Sequence, residues 1–147
     1  MNRVPRRRGG TRGSTLVEFA LCGFLLIITL LSVVEISRMV LVYTTVTNAA
    51  RAGARYAIVH GALRTGGGTN GPSGPGNDPP EVVQVVKNFA TAGPLDLTKL
   101  TIKVTYFGGN AIGNSVNVGV SYAYDPMIGY LPLGVPLSSE SRGVIVF

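Results

Sequence analysis

The sequence predicts an α+β protein. A long N-terminal helix has its lower half transmembrane and its upper half packed on a small head, built from a short second helix and a three-stranded antiparallel sheet. Three observations lead there. No proline occurs from residue 14 to residue 61. Phe19 to Val34 is an apolar stretch without a charge, bounded by Glu18 and Glu35. Two later segments, 100–107 and 116–124, alternate apolar and polar side chains with the period of a half-buried strand.

Charge and length narrow the function classes first. A chain of 147 residues has room for one domain, which excludes an enzyme with separate substrate and cofactor domains. Thirteen Lys+Arg against seven Asp+Glu give +6, a balance that suggests nucleic acid or a membrane surface. The charge is concentrated, however. Arg3, Arg6, Arg7, Arg8 and Arg12 all precede Ser14, and without them eight basic side chains face seven acidic ones. Residues 14–147 therefore carry about +1, and nucleic-acid binding loses its support.

The first element is the basic leader, residues 1–13. A basic stretch ahead of an apolar run fits several export signals. An ordinary secretory signal needs a small-x-small cleavage site after the run, and Glu35-Ile36-Ser37-Arg38-Met39-Val40 offers none. A lipoprotein signal needs a small residue before its cysteine, where Leu21 precedes Cys22. A twin-arginine signal places apolar residues after the pair, where Gly9-Gly10-Thr11 follow Arg7-Arg8.

One pattern does fit. Gly13 precedes Ser14-Thr15-Leu16-Val17-Glu18 and then the apolar run. A basic leader, a glycine and a glutamate five residues on resemble the processing site of type IV prepilins. The resemblance implies that a prepilin peptidase, a membrane-embedded aspartic enzyme, cuts between Gly13 and Ser14 on the cytoplasmic side. Ser14 then becomes the N-terminus and Glu18 the fifth mature residue. Glycine lets an extended backbone approach a protease cleft closely. The arginines hold the leader in the cytoplasm, so the C-terminal body lies outside the membrane. A carboxylate in lipid is costly and marks a functional site by default. The partner that the resemblance implies for Glu18 is the freed α-amino group of a neighbouring subunit; the plainer reading makes Glu18 an interfacial residue favourable to the helix dipole.

The long helix is expected over 14–62, with its transmembrane part at about 16–38. The uncharged Phe19–Val34 run spans about 24 Å, slightly less than a hydrocarbon core of about 30 Å, and flanking apolar residues extend it. Glu35 and Arg38 are three apart and can meet on one face, marking a membrane boundary, a subunit contact or a solvated pair. Ala49, Gly53 and Ala57 recur every four residues, a smooth strip against which another backbone can pack, either the protein's own sheet or a neighbouring helix. Arg51 and Arg55 form a basic strip on another face.

Val17-Glu18-Phe19-Ala20-Leu21, together with Ala49-Ala50-Arg51-Ala52-Gly53-Ala54-Arg55-Tyr56-Ala57, is similar to the TadE-like proteins, minor pseudopilins of tight-adherence (Flp-type) pilus systems. The resemblance covers roughly residues 13–60. It implies a single-pass protein of the bacterial cytoplasmic (inner) membrane, N-terminus cytoplasmic and head extracytoplasmic. Its implied partners are other pilin or pseudopilin subunits, an inner-membrane assembly platform and the lipid bilayer.

Residues 63–80 hold the Gly/Pro-rich stretch from Thr65 to Pro80, which reads as a flexible loop. Gly66, Gly68 and Gly71 match GxGxxG by chance, since a helix precedes them and a proline-rich loop follows. The extracytoplasmic head is expected over 81–147. Asp78 can N-cap the short helix with Pro79 at its first position, and Gly93-Pro94 ends it. Leu100, Ile102, Val104 and Tyr106 face one side of the first strand; Val116, Val118, Val120, Tyr122 and Tyr124 do so in the second. Glycines and asparagines at 108–114 mark the hairpin between them, and a last strand is expected at about Ser141–Phe147. The apolar loop Met127–Leu133 is either a contact surface or folds onto the sheet.

Catalysis has little material. His60 is the single histidine and is expected at the surface beside the loop; Cys22 reads as a small hydrophobe. No metal site, cofactor or nucleophile–base set is predicted. The sequence therefore favours an assembly subunit that is not an enzyme. Its processing residues are Gly13, Ser14 and Glu18; its assembly residues are Glu18, Glu35, Arg38, Ala49, Gly53 and Ala57. The alternative is an uncleaved single-pass membrane-anchored binding module.

Overall fold

A computed structural model describes residues 12–66, 71–127 and 134–146. Most of the basic leader, the middle of the GxGxxG match and the apolar loop at 128–133 lie outside these residues. The elements are α1 (Arg12–Val59), α2 (Pro80–Ala90), a short 3-10 turn (Leu97–Lys99), β1 (Leu100–Phe107), β2 (Ser115–Tyr124) and β3 (Val135–Val144). The chain divides into two compact units, Met1–Ile36 and Ser37–Phe147.

In the second unit the three strands form one antiparallel sheet in the order β1-β2-β3. Leu100 pairs with Tyr122 and Phe107 with Ser115 across the first hairpin; Ser115 pairs with Val144 and Tyr124 with Val135 across the second. Alternation in β1 and β2 falls as the sequence predicts: Val104, Tyr106, Val116, Val118, Val120, Tyr122 and Tyr124 are buried. They meet Val42, Val46, Ala49, Ala50, Ala54 and Ala57 from the upper part of α1, and Val82 and Val86 from α2. Burying a valine side chain is worth about 1.5–3 kcal/mol, so this alternation drives the collapse of sheet onto helices. Gly108, Gly109 and Gly113 in the β1–β2 loop all take positive φ, between 85° and 91°, a region open to glycine at no steric cost.

Four expectations change. β3 runs from Val135 to Val144 and not over Ser141–Phe147. Its inward residues after Leu137 are Ser139, Ser141 and Gly143, and at Gly143 a helix side chain presses on the strand: a Cβ there would lie 2.8 Å from Ile58 Cγ1. Beyond the strand, Ile145 N donates to Asn114 O (2.9 Å) and Val146 N to Ile58 O (3.1 Å), which continues the tail across the core.

Asp78 does not cap α2; Pro79 occupies the N-cap with no side-chain cap bond, and Pro80 takes the first turn. Asp78 instead adopts φ 53° and clips the outer edge of β1. Its Oδ1 accepts from Val104 N (2.5 Å) while its own N–H donates to Val104 O (3.0 Å). The described part of the Gly/Pro-rich segment is consequently held down, with Gly71, Ser73 and Pro79 buried. Its composition disfavours a core of its own, and it borrows that of the sheet.

His60 is buried, at 8% exposure. Its ring stacks on Tyr56 with centroids 3.8 Å apart, and Nδ1 donates to Tyr56 O at 2.8 Å. The segment returning through Ser73 is what covers it: Ser73 N and Oγ both donate to His60 O, at 2.7 and 2.8 Å.

Candidate functional site

The first unit is an apolar helix with its side chains facing outward. Leu16 is 71% and Phe19 79% exposed, and the most apolar window has a mean hydropathy of 2.5 with none of it buried within the protein. Water would make such a surface unfavourable, while lipid tails accept it. Two hydroxyls on this face are already satisfied. Thr29 Oγ1 donates to Leu25 O at 2.8 Å and Ser32 Oγ to Ile28 O at 2.9 Å, so neither hydroxyl requires water. This helix is long and apolar enough to cross a membrane.

Glu18 is the sole charged residue between Ser14 and Val34. It is exposed on α1, in a shallow depression shared with Thr15, Phe19 and Cys22. Gly13 and Ser14 lie on the same first turns, exposed, with no side chain packed around Gly13. α1 begins at Arg12, two residues ahead of the expected start, and runs through the Gly13–Ser14 bond. Glycine costs a helix about 1 kcal/mol relative to alanine, so Gly13 weakens this first turn.

Glu35 is half-buried at the end of the first unit. Arg38, in the second, carries its guanidinium 5.5 Å from the centre of the Tyr124 ring, at the far end of β2. A cation over an aromatic face is worth about 0.5–1 kcal/mol at a partly exposed site. Sequence reasoning did not find Tyr124 as a partner, because 86 residues separate the two and no local pattern signals it.

The small-residue strip faces inward in this unit. Ala49 and Ala57 are fully buried and Gly53 is buried with them. A Cβ on Gly53 would collide with Val86 Cγ2 and lie 3.2 Å from Val118 Cγ1. The strip is thus where α1 receives both α2 and the sheet.

The polar cluster around Ser73 also escaped the sequence. Ser73 Oγ shares a 2.7 Å hydrogen bond with the Tyr106 hydroxyl, and Asn110 Nδ2 donates to Ser73 O at 2.6 Å. The serine oxygen is engaged by a backbone carbonyl and a phenol, which makes this a structural latch. Burial raises the Tyr106 pKa above its ordinary value of 10.0, and the Ser73 bond opposes that only in part. A phenol whose folded pKa is raised contributes stability that is complete below its unfolded pKa and lost as pH rises through the folded value. The head is therefore expected to lose stability above about pH 10. Tyr106→Phe should flatten that alkaline slope in denaturant melts taken across pH; an unchanged slope would assign it to other groups.

Among the described residues no cluster of three or more His, Cys, Asp or Glu side chains could hold a metal. The Lys99–Asp125 ion pair lies on the surface, joining the 3-10 turn to the end of β2. Asp96 caps that turn through Thr98 N (3.0 Å) and Thr98 Oγ1 (2.7 Å), and these bonds hold its carboxyl below the usual range.

The described residues thus form an apolar helix long enough to cross a membrane and a small α+β head. Residues 13–55 match the family model of TadE-like proteins, a structural, pilus-associated family. The matched segment holds Gly13, Glu18, Glu35, Arg38, Ala49 and Gly53, and it stops short of Ala57 and the sheet. No curated protein and no solved structure matches the chain.

Proposed function

We propose that the protein is a minor pseudopilin-like assembly subunit of a tight-adherence pilus or related secretion fibre. In this reading it inserts into the cytoplasmic membrane with its leader inside and its head outside, and a prepilin peptidase cuts between Gly13 and Ser14. The observation that supports this best is Glu18, the sole charge of the apolar run from Ser14 to Val34, which lies within the TadE-like segment. An ionised carboxylate in lipid needs a cationic partner. Cleavage creates one, the α-ammonium of Ser14, and a staggered neighbour can present it to Glu18. Glu35 and Arg38 then lie toward the outer boundary, and Ala49, Gly53 and Ala57 pack the upper part of α1 into the head that meets other subunits and the assembly platform.

The alternative, an uncleaved anchored binding module, has in its favour that α1 runs unbroken through the Gly13–Ser14 bond. Intact-mass measurement on protein from hosts with and without a prepilin peptidase separates the two. The expected result is loss of residues 1–13 only where the peptidase is present. A chain that retains Met1 to Gly13 in the peptidase-positive host would overturn the proposal.

A further inference from the structure

The upper part of α1 and α2 leave a groove between them, within the second unit. It is about 640 Å³ and is lined by Arg51, Ala52, Arg55 and Tyr56 from α1 and by Val85 and Phe89 from α2. Its floor is apolar, and Phe89 is 47% exposed there. Large aromatics left open in a groove are the usual anchors of protein contacts. Along one wall stand Arg51 and Arg55, both exposed and one helical turn apart. Among the described residues neither guanidinium has an ion-pair or hydrogen-bond partner. Glu81, the acidic residue of α2, pairs with neither.

From this charge and shape we infer that the groove receives an acidic amphipathic helix of a partner protein, with carboxylates one turn apart beside an apolar ridge. A partner helix presents residues four apart about 6 Å from one another along its axis, the spacing of Arg51 and Arg55 on α1. Its apolar ridge covers Tyr56, Val85 and Phe89. A third helix laid against two packed ones completes a bundle in the way that ridges fill grooves. A second copy of this chain is a poor occupant, since no helix of the chain carries two carboxylates four residues apart. An anionic lipid surface fits less well also. Arg51 lies thirteen residues beyond Arg38 on α1, about 20 Å along the axis, whereas interfacial elements sink only about 5–10 Å into the headgroup boundary. The inference does not depend on cleavage after Gly13.

The test uses the full chain in non-ionic detergent and a fluorescein-labelled peptide of about four helical turns, with a leucine ridge and glutamates four apart. Anisotropy is read against empty micelles, beside a scrambled peptide of the same composition and a version with lysine for glutamate. The expected result is binding of the glutamate peptide at least about tenfold tighter than either control, weakened by salt. Arg51→Glu combined with Arg55→Glu should transfer the preference to the lysine peptide, and Phe89→Ala should weaken both peptides alike. Circular dichroism of each variant checks that the head is folded. Equal binding of the scrambled peptide, no binding by any peptide, or an unchanged preference in the folded double variant would each overturn the inference. So would binding of the full chain in detergent to immobilised phosphatidylglycerol that depends on the two arginines while the peptide fails to bind, an outcome that assigns the groove to lipid.

Discussion

Gly53→Leu is expected to lower the unfolding free energy of the head by about 3 kcal/mol, the upper part of the range for overpacking a dense core. Even the first added carbon has nowhere to go: it collides with Val86 Cγ2 and sits 3.2 Å from Val118 Cγ1. Val86 and Val118 are both fully buried, and β-branched side chains have few rotamers into which to retreat. For a domain of this size the loss corresponds to a fall in melting temperature on the order of 10–20 °C. Alanine makes the sharper test, because two effects of known sign compete. Removing a glycine from mid-helix gains about 1 kcal/mol in helix propensity. The collision costs about 1–3 kcal/mol, so Gly53→Ala should still be net destabilising. Gly23→Ala is the control, since a Cβ there meets nothing within 4 Å and should leave the melting of the head unchanged. A head that melts higher in Gly53→Ala than in the parent, followed by circular dichroism in detergent, would show that α2 and β2 do not close on α1 at this point.

The same residue shows what is readable from sequence here and what is not. The long helix, its exposed apolar run and the inward faces of β1 and β2 depend on patterns within one segment, and they were legible residue by residue. Gly53 was legible as a smooth site, while its occupants were not, because Val86 and Val118 are brought in from elsewhere in the chain. β3 was misplaced for a related reason. Its inner positions Ser139, Ser141 and Gly143 are small or polar, and Gly143 lies against Ile58, so the apolar alternation that identifies a strand is lost over its second half. Asp78 satisfied a local rule for a helix cap, yet a pair of hydrogen bonds to Val104, 26 residues away, holds it elsewhere. His60 looked exposed beside a flexible loop, and it is the return of that loop through Ser73 that buries it. Arg38 and Tyr124 follow the same logic. At the candidate site, the expectation for Gly13, Ser14 and Glu18 rests on a pattern of consecutive residues and belongs with the proposed processing.

Glu18→Gln should leave insertion and leader cleavage intact while reducing fibre assembly by at least about tenfold. The two effects separate because they depend on different properties of the side chain. Insertion becomes no harder: an ionised carboxylate costs about 2.5–3.5 kcal/mol at the centre of a membrane helix and less near its end, where Glu18 stands, and the amide removes the charge. Cleavage depends on the backbone around Gly13, which the substitution does not touch. Assembly, in the proposed mechanism, depends on attraction between the Glu18 carboxylate and the ammonium of a neighbour. With glutamine that ammonium enters lipid unpaired, and removing one partner of a buried pair costs about 3–5 kcal/mol, well beyond a tenfold effect at about 1.4 kcal/mol per decade. Glu18→Asp keeps the charge on a shorter arm and should retain part of the assembly. The measurement is the sheared surface fibre relative to mature subunit in the membrane, with mass spectrometry confirming the cut. Normal fibre from Glu18→Gln would return Glu18 to an interfacial residue at the start of α1. A general failure of insertion would contradict the argument from the other side, since the amide is the less costly group in lipid.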